Sequence, residues 1–202
     1  MLTSPVFPLN TVLFPGGRVP LKIFEPRYLD MITDCLKQDL GFTISLICEG
    51  SEVAPPGAKI AEIHPIGTYS KIVDWERLDN GLLGVIVEGE RRVKINQPRV
   101  RDDNLMIADH DLLVEQPVRD SQDMRALALL LEELERHPLI ERLGTKSDYN
   151  DPTAIIWSLC QLLPFSNEQK QILLESDDSE QRVVEMDKML KDYQREVLAQ
   201  HQ

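Results

Sequence analysis

Ten of the 13 prolines and nine of the 10 glycines lie at or before Pro117. Proline lacks the backbone N–H that a helix interior needs, and glycine loses the most conformational freedom on ordering. The first part of the chain is therefore restricted to short, turn-rich elements, and the remainder is free to form helices. This asymmetry predicts an α+β protein, with a β-rich domain over residues 1–118 followed by an α-helical bundle domain over residues 119–202. At 202 residues the chain is long enough for a sizeable apolar core.

Hydropathy patterning agrees. Val19, Leu21 and Ile23 alternate with Pro20 and Lys22, and Phe42, Ile44 and Leu46 alternate with Thr43 and Ser45, the period of strands. Segments 66–75 and 82–88 flank Asp79-Asn80-Gly81, and the Asn-Gly pair suits the positive φ angles of a tight hairpin turn. Gly89 then divides that second strand from a third at 91–95, giving a meander, with a later strand over 105–114. One helix interrupts the strands, over 26–38, with Pro26 in its first turn and Tyr28, Leu29, Ile32 and Leu36 on one face.

Beyond Val118 the period becomes that of a helix. Met124, Leu127, Leu131 and Leu134 recur at threes and fours up to Pro138. Asp151-Pro152 opens a helix that Pro164 stops, and Ser166 with Gln169 forms a capping box for a short third one. The last helix begins near Ser179 and carries Val183, Met186, Leu190, Tyr193 and Val197. Two heptads are too few for a coiled coil; that stripe packs on its own bundle or serves as a seam for association with a partner. Gly144 to Asn150 is polar enough for a mobile loop.

With 34 acidic and 22 basic residues the net charge is -12, which repels phosphate backbones and anionic lipid. The odd set Cys35, Cys48 and Cys160 reads as buried thiols of a reducing compartment. With no basic leader and no apolar run of membrane length, the expected location is cytoplasmic and no membrane is expected as a partner.

Catalytic constellations are missing. No G-x-x-x-x-G-K-[ST] loop occurs. Ser70-Lys71 and Lys146-Ser147 are neighbours whose side chains diverge on an extended chain, and both pairs read as surface residues. His64, His110, His137 and His201 are isolated, and Asp74 and Glu76 have no nucleophile beside them. Asp102-Asp103 and Asp177-Asp178 read as solvated caps or turns. The expectation is a non-enzyme without metal or cofactor.

Phe7-Pro8-Leu9, Leu13-Phe14-Pro15-Gly16, Val19-Pro20-Leu21 and the run from Phe24 to Leu29 resemble the opening of the N-terminal, substrate-recognising domain of Lon-type proteases. Ile66-Gly67-Thr68, Arg91-Arg92-Val93 and Leu162-Leu163-Pro164-Phe165-Ser166 continue the resemblance in patches; Val93 stands where the family often has Phe. The resemblance implies a PUA-like β pseudo-barrel followed by helices, and a stand-alone recognition module without Lon's ATPase and serine-lysine protease engine. The implied partner is unfolded or tagged polypeptide, or a protease for which the protein is an adaptor. Leu13, Phe14 and Pro15 on a turn, beside Phe24, Glu25, Arg27 and Tyr28 at a helix start, combine aromatic area with charge and form the candidate peptide site, although large aromatics are usually buried, so that Phe14, Phe24 and Tyr28 more readily close the barrel, and Arg27 and Glu25 equally form an exposed pair. An alternative of another class, RNA binding, rests on the basic cluster Arg91, Arg92, Lys94, Arg99 and Arg101, in which Arg92 and Lys94 share a strand face.

Overall fold

The computed structural model describes residues 2–50, 61–119 and 122–200; the Val197 side chain and His201, both named above, lie outside the described residues. Its strands are β1 (Leu2–Leu9), β2 (Arg18–Ile23), β3 (Phe42–Glu49), β4 (Glu62–Ile63), β5 (Ile66–Arg77), β6 (Leu83–Val100) and β7 (Met106–Leu112). Its helices are α1 (Pro26–Gln38), α2 (Gln122–Glu135), α3 (Pro138–Glu141), α4 (Pro152–Leu162), α5 (Asn167–Glu175) and α6 (Ser179–Gln200). The result is an α+β fold.

The sheet closes on itself. Strands run in the order β1-β7-β6-β5-β3, and β3 returns to β1 through a parallel pairing of Val6–Leu9 with Thr43–Leu46. Closure gives each of these five strands a partner on both sides over part of its length. β2 stands outside this ring, paired with the first half of β6 from Arg18↔Glu88 to Ile23↔Leu83.

Gly89 does not divide β6, which runs unbroken for 18 residues. A Cβ there would lie 2.4 Å from the Phe14 carbonyl oxygen, so the glycine admits the turn over 14–17 against the strand, held by Gly16 N–H to Gly89 O and Gly89 N–H to Gly17 O. The hairpin expected at Asp79-Asn80-Gly81 is present, but only Gly81 takes a positive φ, 82°. Gly81 N–H donates to Leu78 O and Leu78 N–H to Leu82 O, so the connection is a three-residue loop rather than the two-residue turn that needs both Asn and Gly left-handed.

α1 has the expected bounds and a different inner face. Tyr28, Met31, Ile32 and Cys35 are buried while Leu36 is exposed, because the i, i+3, i+4, i+7 stripe is completed by Met31 and Cys35 rather than by the leucines. Asp39 ends the helix in the left-handed region. These residues join Phe7, Leu13, Leu21, Phe42 and Val87 in one cluster; Val6, Tyr69, Val93, Met106 and Ala108 form another.

Among the helices, Asp151 accepts from Thr153 N–H at the start of α4, and the Ser166–Gln169 capping box is complete at α5. The third apolar cluster joins Leu131, Ile156, Trp157, Leu159, Leu173 and Met186 to Val12, Phe14 and Leu46 from the β-rich part. Polar ties cross the same contact: Gln161 accepts from Phe14 N–H, Arg18 donates to the Leu143 and Gly144 carbonyls, and His64 meets Glu175 at 3.1 Å.

Three further expectations are corrected. Cys48 is exposed, since it lies where β3 leaves the barrel, whereas Cys35 and Cys160 are buried. Ser70 is buried and donates to Phe42 O, because β5 there runs between β3 and β6. Within 144–150 the side chains of Ser147 and Tyr149 are both tied to Glu135, which anchors the segment to α2.

Candidate functional site

Along β2 the odd-numbered residues bond to β6, as the Gly89 N–H to Gly17 O bond fixes by parity. The backbone groups of Arg18, Pro20 and Lys22 therefore face away from β6, onto an edge that no described strand pairs with. β1 does not fill that position: β7 pairs with it only as far as Val6, and Phe7 to Leu9 pair on one side alone, with β3.

Between these elements runs a groove of about 390 Å³, lined by Phe7, Leu9, Thr11, β2 from Val19 to Ile23, and Phe24, Glu25 and Tyr28. Its aromatic wall is built in layers. Phe7 stacks on Tyr28 with ring centroids 4.0 Å apart, and Phe42 lies 6.0 Å behind Phe7. The Arg27 guanidinium sits 4.6 Å over the Tyr28 ring, donates to Glu25 and Asn104 O, and so fixes the start of α1, whose N-cap Glu25 makes no side-chain cap bond. Phe24 stands at the lip, 51% exposed. Lys22 is exposed and makes no ion pair among the described residues.

The seven expected site residues are divided by the structure. Phe24, Glu25 and Tyr28 line the groove, and Arg27 buttresses it from behind. Pro15 is half-buried beside Gly89, and Leu13 lies in the core under the barrel. Phe14 is fully buried and faces the other way, its ring 5.6 Å from Trp157. Phe7, Leu9, Leu21 and Lys22 belong to the groove and were not singled out; the alternation of Phe7 and Leu9 was the available signal.

The basic stripe proposed from Arg92 and Lys94 does not form. Arg92 is buried beneath α5 and α6, bonded to Glu115, Leu174 O and Ser176 O, while Arg99 and Arg101 pair with Asp109 and Asp103. Helix packing over the outer face of β6 separates two residues that share a strand face.

Two other concavities carry more charge. One, of about 770 Å³ between α5 and α6, sets Ile172, Leu173 and Met189 among Glu175, Asp177, Asp178, Glu185 and Asp192; the other, of about 480 Å³ beside α1, mixes Arg27, Asp30, Asp34, Lys37 and Arg101. Of these three, the β2 groove is the one that joins apolar lining to an open strand edge among the described residues. No group of three or more His, Cys, Asp or Glu among the described residues is placed to hold a metal, and no described helix is long and apolar enough to cross a membrane.

The model of the ATP-dependent protease La (LON) substrate-binding domain matches residues 3–192. Lon protease 1 of Bacillus subtilis (strain 168) is 27% identical over 186 residues, covering 89% of this chain and 24% of that protein. Lon protease of Bacillus thuringiensis (strain Al Hakam) is 22% identical over 197 residues, covering 94% and 24%. The chain thus spans about a quarter of the length of these relatives. A Lon N-terminal domain protein from Xanthomonas campestris superposes with a TM-score of 0.70 at 28% identity, covering 92% of this chain and 97% of that one. The N-terminal domain of Mycobacterium avium complex Lon protease gives 0.63 at 21%, covering 92% and 96%, a likeness of fold.

Proposed function

Because the chain belongs to the Lon substrate-binding domain family, we propose that it is a non-catalytic recognition module for unfolded or tagged polypeptide, and that the β2 groove is where it makes contact. One observation carries the choice of site: Phe24 stands exposed over a groove lined by Phe7, Leu9, Leu21 and Tyr28. An exposed aromatic over an apolar concavity is the usual anchor of polypeptide recognition.

The role is binding that hands a client to a protease, so the protein acts as an adaptor, in the cytoplasm, where Cys35 and Cys160 stay reduced. The β-rich part over 1–118 and the helices over 119–202 act as two closely packed domains, a reading supported by two apolar clusters confined to the β-rich part, while a third, joining Phe14 to Trp157, forms their contact.

The test is fluorescence anisotropy with labelled, carboxymethylated casein, an unfolded polypeptide. Micromolar binding that Phe24→Ser weakens about tenfold, with the far-UV circular dichroism unchanged, supports the reading. Absence of binding to casein and to a broad peptide array sinks it.

A further inference from the structure

We propose that the groove receives its polypeptide as an added β-strand on the free edge of β2, with apolar residues at alternate positions and a carboxylate beside Lys22. This rests on the reading above and goes further, naming the conformation and chemistry of the client.

The edge is competent for pairing. The carbonyls of Arg18, Pro20 and Lys22 and the N–H groups of Arg18 and Lys22 face away from β6. Pro20 withholds one N–H, which placement on an edge strand tolerates, and which also disfavours pairing of two copies through this strand. Six residues of edge span roughly 20 Å, enough for a client segment of five or six residues.

The side chains then sort by face. Val19, Leu21 and Ile23 turn toward the apolar cluster that holds Phe7, Leu9 and Tyr28, so every second client residue falls over that floor and is selected for apolar character. Pro20 and Lys22 turn to the outer face. There Lys22 is the charge without an ion pair among the described residues: Glu25 is engaged by Arg27 at 2.8 Å and Arg18 by Glu88 at 2.7 Å. A client acidic residue opposite Lys22 completes a cross-strand ion pair, whereas a basic one meets like charge. The groove therefore favours an apolar segment carrying a carboxylate, in a chain whose overall charge of -12 otherwise repels acidic ligands.

The test uses ten-residue peptides alternating leucine and threonine, with one threonine replaced by glutamate or by lysine, and versions N-methylated at odd or at even positions. Affinities are measured by isothermal titration calorimetry with the full chain and its Lys22→Glu variant. Strand addition requires that N-methylation of one parity weakens binding at least tenfold while the other changes it less than twofold. It also requires that the glutamate peptide bind about threefold tighter than the lysine peptide, with the order reversed in Lys22→Glu. Peptides that bind in a Phe24-dependent manner but are indifferent to N-methylation overturn the strand and leave the recognition reading standing. If no peptide binds while casein does, the strand falls and the recognition reading stands; if casein and the broad array fail as well, both fall. Lys22 is exposed, so the charge reversal leaves folding intact; unchanged circular dichroism and melting temperature confirm that before affinities are compared.

Discussion

The Arg182 guanidinium sits over the Trp157 ring, its central carbon 3.8 Å from the ring centroid, and both side chains are buried. Arg92 approaches the same ring at 5.6 Å, and the two arginines share one carboxylate, Glu115, at 2.8 and 3.0 Å. Arg92 comes from β6, Arg182 from α6 and Glu115 from the segment after β7, so the triad ties barrel to helices. Removing the shared carboxylate leaves two buried cations facing each other, a loss that for buried pairs is of the order of 3 kcal/mol. Glu115→Gln is therefore expected to lower the urea midpoint at unchanged slope by an amount corresponding to about 3 kcal/mol. Arg119→Ala, which breaks the exposed pair with Glu180 at 3.9 Å, is expected to change stability by less than about 0.5 kcal/mol.

Two glycines separate steric from conformational cost. Gly81→Ala meets nothing within 4 Å and forces alanine into a left-handed φ, costing about 1–2 kcal/mol. Asparagine tolerates that region, so Gly81→Asn is expected to recover most of the loss. Gly89 has no positive φ; its Cβ would strike the Phe14 carbonyl, and Gly89→Ala is expected to cost about 1–3 kcal/mol by overpacking. Asparagine brings no relief there. Thermal denaturation of the four variants checks the pattern; a rescue of Gly89 by asparagine defeats the steric account.

Elements written in local chemistry were legible in the chain: Pro26 in the first turn of α1, the Ser166–Gln169 box, Asp151 as a cap and the Asn-Gly hairpin loop. Long-range contacts were not. The parallel pairing of β1 with β3 joins segments some 37 residues apart and leaves no periodic trace. For the same reason Gly89 looked like a strand break, since its neighbour Phe14 lies 75 residues away. Arg92 looked like part of a basic stripe because strand period places it beside Lys94, and nothing local announces that helices cover one and not the other. That Phe24, Glu25 and Tyr28 lie together is legible from their clustering at a helix start. That Phe7 and Leu9 line the same groove is not, because it depends on which strand edge stays open.

The thiols give a pH prediction. Burial raises the Cys160 thiol from its ordinary 9.0 to about 12, and burial followed by the charge of Asp34 raises Cys35 to about 11. A raised pKa in the folded state means the folded protein holds its proton while the unfolded chain releases it. The associated stability is whole below about pH 9 and declines as pH climbs toward 11 and 12. The urea midpoint is expected to fall between pH 8.5 and roughly pH 10.5 and to fall less in Cys160→Ala, whatever that variant's starting stability. At pH 8, iodoacetamide is expected to add one mass increment to the native protein, at Cys48, and three after denaturation.

Phe14 and Phe24 are ten residues apart, both aromatic and both candidates for contact with a client, yet the structure assigns them opposite environments. Phe14 is fully buried against Trp157, and its backbone N–H is held by Gln161 from α4. Truncating it opens a cavity at the contact between barrel and helices, so Phe14→Ala is expected to cost about 3–5 kcal/mol. Surviving folded protein should bind polypeptide with unchanged affinity. Phe24 is half-exposed at the groove lip, so Phe24→Ala removes little packing and is expected to shift stability by less than about 1 kcal/mol while weakening polypeptide binding about tenfold. Measuring both variants in denaturation and in anisotropy gives a crossed result that neither a general loss of fold nor a general loss of apolar surface produces. If Phe14→Ala lost affinity while fully folded, the client would have to reach the seam between barrel and helices rather than the edge of β2.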